Sequence, residues 1–149
     1  MNLRLEDALR DFNTPKAVEI LESSHNLSQN ELNSALRIAI SSSSPDTAID
    51  HLLSHGAQIT ETVFYGASAR KYVISFQAFL DHGWDINSLE FGQPALRLAV
   101  GDEQLVRWFL DHDADPNLQG TIGCSILATA ALHPSTTLLE PLISRGAQV

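Results

Sequence analysis

Six histidines, one cysteine and two recurring pairs of aspartates are the side chains here whose types invite chemistry. His55, His82 and His112 share one setting, each ending an apolar run: LLSHG, FLDHG and FLDHD. A single zinc ion would need its ligand atoms about 2 Å away. Histidines that recur once per structural unit stand about 10 Å apart, the spacing of packed helices. His51 and His55 are four apart on one helix face, but no acidic or Cys partner lies at matching spacing. No metal site is expected, and no cofactor. The bland reading of the shared slot is favourable: near a helix C-terminus, His meets the last carbonyls and the negative end of the dipole.

Cys124 and His133 supply a thiol and a base, but nothing in their spacing pairs them, and an isolated Cys is ordinarily a small buried hydrophobe. Asp81 and Asp111 recur in register, as do Asp85 and Asp115. Paired carboxylates do acid–base work in clefts, yet the recurrence itself explains these as helix-end and turn residues. Gly120-Thr-Ile-Gly123 is too short for a phosphate loop and lacks a following Lys. No residue is assigned as catalytic.

The elements that would position these residues repeat. HLLSHGAQIT from His51, AFLDHGWDIN from Ala78, WFLDHDADPN from Trp108 and PLISRGAQV from Pro141 are versions of one phrase, and EILESSHNLS from Glu19 is a weaker one. Its stop slot falls at Ser24, Gly56, Gly83, Asp113 and Gly146, in steps of 27 to 33 residues. Upstream lies a second marker, a large apolar residue three positions before Ala: Leu5/Ala8, Leu36/Ala39, Phe64/Ala67, Leu96/Ala99 and Leu127/Ala130. Two markers in constant phase predict five units of two short helices each. The first helix carries the apolar–Ala pair on one face. The second is amphipathic, as in Ala48, Ile49, Leu52, Leu53 or Leu105, Val106, Phe109, Leu110. Thr14-Pro15 and Ser44-Pro45 read as hydroxyl caps before a Pro at the first helical position. The Gly slots read as left-handed stops, with Asp113 a tolerated substitute. Two short helices cannot bury their faces alone, so stacking is required.

These residues resemble ankyrin repeats. The family's T-P-L-H-x-A signature is met loosely by Pro94-Ala-Leu-Arg-Leu-Ala99 and Ser34-Ala-Leu-Arg-Ile-Ala39, and more weakly by Ser125–Ala130 and Thr62–Ala67. LLSHGAQ, FLDHGWD, FLDHDAD and LISRGAQ match the family's exit from the second helix. The resemblance implies an all-α, ankyrin-type helical repeat solenoid forming one domain over 1–149, with units near 1–28, 29–60, 61–87, 88–117 and 118–149. The departures carry their own expectations. The signature His is replaced by Arg37, Tyr65, Arg97 or Ala128. The fourth unit is two residues short and should have a shorter first helix. Trp84 stands where Ala is usual, and Pro141 should bend the last helix.

The resemblance also implies function: a non-enzymatic scaffold that binds a protein partner along a concave groove of first helices and protruding turns. The turns are 58–63, 87–93 and 117–124. Leu89, Glu90 and Phe91, then Leu118 and Ile122, lie at or near two tips, either open to a partner or packed back on the stack. Tyr65 and Arg97, with Arg37, would line the groove, and Trp84 adds a large aromatic. The rival reading is a divergent enzyme or small-molecule binder using the same Tyr, Arg, His and Asp residues.

The formal charge of −9 disfavours nucleic acid as a partner. No apolar run approaches the roughly 20 residues of a membrane span. A single Cys excludes an internal disulfide and fits a reducing, intracellular compartment, cytoplasmic or nuclear. The first unit is heavily charged, as a solvent-facing cap should be. The last has only Glu140 and Arg145 from Ser135 onward, which implies that further repeats, another domain or a second copy of the chain packs there.

Overall fold

A computed structural model of the chain describes residues 2–24, 26–121, 123–135 and 137–148, with side chains from Leu5 onward. Among the described residues there are ten helices and no strand: α1 (Asn2–Arg10), α2 (Thr14–Ser23), α3 (Gln29–Ser41), α4 (Asp46–Ser54), α5 (Glu61–Arg70), α6 (Val73–Asp81), α7 (Ala95–Leu98), α8 (Glu103–Asp111), α9 (Ile126–Ala131) and α10 (Leu139–Ser144). None is long and apolar enough to cross a membrane. The helices divide between two compact units, Met1–Gly83 and Trp84–Val149.

In the first unit α1, α3 and α5 stack as one layer, and α2, α4 and α6 as a second. The layers follow from the two sequence markers. Leu5, Ala8, Leu36, Ala39, Phe64 and Ala67 are all buried, so the apolar–Ala pair is the seam between first helices. Ala48, Ile49, Leu52 and Leu53 turn the other layer inward. Helix starts differ by one residue from the sequence reading. Asn13, not Thr14, caps α2 by accepting from Lys16 N at 3.1 Å. Pro45 precedes α4 without a side-chain cap, and Ser44 is buried with its carbonyl accepting from Tyr72 Oη at 2.7 Å. Ser28 and Glu31 form a reciprocal capping box on α3.

In the second unit α7 packs on α8 and α9 on α10. The shortened fourth repeat has the shorter first helix expected of it, α7 of four residues, although a deficit of two residues accounts for only part of that. Leu96 and Ala99 are buried as expected, but in the last pair Ile126 takes the fully buried place and Leu127 is half-buried. Pro141, expected inside the last helix and removing a hydrogen bond, sits in the first turn of a six-residue helix, where its missing N–H removes no bond.

The stop slots behave as their side chains dictate. Gly56, Gly83 and Gly146 have φ of 99°, 89° and 91°, and Asp113 takes 69°. A recurring asparagine ties two turns of the second unit, each to the next. Asn87 Nδ2 donates to Asp113 O (3.2 Å) and Asn87 Oδ1 accepts from Asp115 N (2.8 Å). Asn117 does the same with Gly146 O (2.9 Å) and Gln148 N (2.7 Å). In the first unit Asn33 Oδ1 accepts from Gln58 N, while Gln29 Nε2 reaches Gly56 O.

Candidate functional site

The turns of the second unit are built, not loose. Asp85 Oδ1 accepts from Asn87 N at 2.9 Å and Asp115 Oδ1 from Asn117 N at 2.8 Å, so these recurring aspartates are turn residues. Gly92, with φ of 91°, closes the turn that carries Leu89, Glu90 and Phe91. Thr121 N donates to Gly92 O at 2.8 Å, and Gln93 Nε2 to Thr121 Oγ1 at 3.0 Å, lashing this turn to the one after Asn117. The approach is close enough to need glycine. A Cβ on Gly120 would stand 2.5 Å from Gln93 Oε1 and nearer still to the Gly92 carbonyl oxygen.

On this braced pair Leu89 is 40% exposed and Glu90 is exposed. Phe91, Leu118 and Trp84 are half-buried in the same unit. Ile122 lies outside the described residues. Tyr65 belongs to the first unit, half-buried on α5 and edge-on to Phe64 with centroids 5.2 Å apart.

Arg97 is where the structure departs most from the sequence reading. Expected to line a groove, it is only 7% exposed. Its guanidinium donates to Thr129 Oγ1 (2.8 Å), to Cys124 Sγ (3.2 Å) and to the Cys124 carbonyl. The Arg37 side chain, in the matching position of the second repeat, is exposed. Cys124 also reverses its expectation: it is exposed. The Arg97 bond, with Thr129 adding, holds its thiol below the ordinary cysteine range. Elsewhere the Arg107 hydrogen bond lowers Glu103, and burial, with the Asp46 carboxylate adding, raises the Tyr72 phenol.

The histidine slot splits. His55 and His112 turn Nδ1 to the carbonyls of His51 and Trp108, each at 2.7 Å, as helix-end residues should. His82 instead places Nε2 2.6 Å from Asp50 Oδ1 on α4. Among the described residues no group of three or more His, Cys, Asp or Glu could hold a metal ion. The clefts of the first unit, about 350 and 360 Å3, and one of about 120 Å3 in the second are lined by residues other than Tyr65 and Arg97. The sequence missed the Arg97–Cys124–Thr129 cluster and the Gly120 contact; the recurring Asn was legible as a letter but not as a bond.

No family model matches the sequence, and no curated protein matches it. The crystal structure of the human ASB11 ankyrin repeat domain is similar, with a TM-score of 0.77 at 19% identity, over 97% of this chain and 69% of that one. The paired helices, the left-handed stops and this superposition agree: the chain has the ankyrin-repeat fold.

Proposed function

We propose that the protein is an interaction scaffold that offers the turns between its helix pairs to a protein partner. The braced turns of the second unit carry this reading. They are held by Thr121, Gln93 and the Gly120 contact, and they leave Leu89 and Glu90 outward. A rigid loop loses little entropy on binding, and an apolar side chain beside a carboxylate suits a partner with an apolar pocket and a basic rim. Phe91, Leu118 and Trp84 flank this surface in the proposal, and Tyr65 is a separate contact on the first unit. Arg97 is withdrawn as a contact, because its guanidinium is committed to Cys124 and Thr129. That commitment also removes the main cation on which the enzyme reading relied.

A protein is favoured over nucleic acid as the partner by the charge of −9. The unpaired thiol suits a reducing compartment. Leu132 and Ile143, 88% and 57% exposed, support a secondary contact with another copy or further repeats at the last helix pair. Sedimentation of the chain as a pure monomer would remove the other copy as the occupant. The test of the main reading is capture from native lysate by wild type and by Leu89→Asp. Loss of the captured protein with unchanged circular dichroism is expected, whereas equal capture removes these turns as the binding surface. Phe91→Ala and Leu118→Ala are expected to weaken capture at unchanged helicity; if both unfold the protein, they are core.

A further inference from the structure

A cleft of about 350 Å3 runs between α4 and α6 in the first unit. Its floor is apolar. Ala78 is buried there, and Ile74 is 40% exposed, the only isoleucine of α6 and one that packing leaves to solvent. Its rim is acidic on both sides, with Asp46 and Asp50 from α4 and Asp81 from α6, all exposed. No Lys or Arg lines it among the described residues. Asp50 uses Oδ1 toward His82, and Asp81 uses Oδ1 toward Gln77 Nε2 at 3.0 Å, so both carboxylates are held in place by neighbours on α6 and its cap.

The spacing of the rim decides what it fits. These carboxylates do not converge as a metal-binding group. A bare divalent ion needs several oxygens within about 2.6 Å of one point, and no such group forms among the described residues. A long cationic side chain fits better, because its aliphatic stem covers apolar surface while its head stays among oxygens. We infer that the α4–α6 cleft is a docking groove for a Lys- or Arg-bearing segment of a protein partner, its stems on Ile74 and Ala78 and its cations among Asp46, Asp50 and Asp81. Charge complementarity carries the choice of occupant, and the net charge of −9 steers such a segment in. The groove is independent of the turns and needs no contribution from Leu89.

The full chain is titrated with a fluorescein-labelled hexapeptide of alternating arginine and leucine, and with the same peptide carrying glutamate for arginine. Saturable binding of the arginine peptide alone is expected, with amide shifts at Ile74, Gln77 and Asp81 in 15N spectra. Asp50→Asn with Asp81→Asn is expected to weaken it by about tenfold, the scale of two partly exposed charge pairs. Asp7→Asn with Asp11→Asn removes the same charge from α1 and its exit and is expected to change it little. Leu89→Asp leaves it unchanged. Equal weakening by the two double variants would mean attraction to bulk charge alone and overturn the groove. So would shifts confined to other helices, or no saturable binding below about 1 mM, the limit of a weak specific contact.

Discussion

The two units solve one packing problem with different materials. In Met1–Gly83 the helices run 9 to 13 residues and stack layer on layer through buried Leu, Ile, Phe and Ala. In Trp84–Val149 three of the four helices have four or six residues. Polar bonds reach from one repeat to the next in both units: Arg70 to Ser43, Tyr72 to Ser44 O and His82 to Asp50 in the first, and Arg97 to Cys124 and Thr129, Gln93 to Thr121, Asn87 to Asp113, and Arg145 to Leu110 O in the second. The contrast shows in one position. The repeat that writes Arg37 in a 13-residue helix leaves it in solvent, and the repeat that writes Arg97 in a four-residue helix buries it as a clamp. What separates the units is that the short-helix unit draws one of its polar bonding groups, Arg97, into the interior.

That contrast can be broken by measurement. Phe76→Ala, at a side chain with no exposure in the first unit, is expected to cost about 3–5 kcal/mol in a urea titration. Arg97→Ala, which strands the Cys124 carbonyl and Thr129, is expected to cost about 2–3 kcal/mol. Arg97→Met tests the claim more sharply: if it matches wild type, stem packing and not bonding holds the second unit. Gly120→Ala must push Gln93 or the Gly92 carbonyl aside, at about 1–3 kcal/mol. Arg37→Ala is expected to stay within about 0.5 kcal/mol of wild type. An Arg37 effect as large as that of Arg97 would erase the distinction between the units.

The smallest effect is chemical. Cys124 titrates below the ordinary thiol value of about 8.5, because Arg97 stabilises the thiolate. A depressed value means that its contribution to stability is present above about 8.5 and is lost as pH falls through the lowered one. The iodoacetamide rate should therefore reach half its maximum at lower pH in wild type than in Arg97→Met. Coincident profiles would show that the bond does not govern the thiol.

Legibility followed locality. A left-handed stop is a one-residue demand, so Gly56, Gly83, Gly146 and even Asp113 could be read from the letters. That α7 is shorter than its counterparts followed from a count of residues, but not how short it is. The starts of α2 and α4 slipped by one residue because Asn13 competes with Thr14 for the same backbone N–H, and Pro45 displaces Ser44 from its capping place. The burial of Arg97 was illegible, since a charge enters the interior only when partners some 30 residues away await it. Of the surface candidates, Leu89 and Glu90 are exposed, whereas the letters left open whether the tips face solvent or pack back on the stack. The α4–α6 cleft left no motif, because its walls come from two helices that the sequence separates.

The asparagine relay grips main-chain atoms and ignores the side chain of the residue it holds. Asn87 bonds the carbonyl of an aspartate and Asn117 that of a glycine, with the same geometry. The slot is thus released from any demand except a left-handed backbone, and mutation can drift there without shifting one coil past the next. An architecture aligned by its peptide groups is free to forget its letters at that slot.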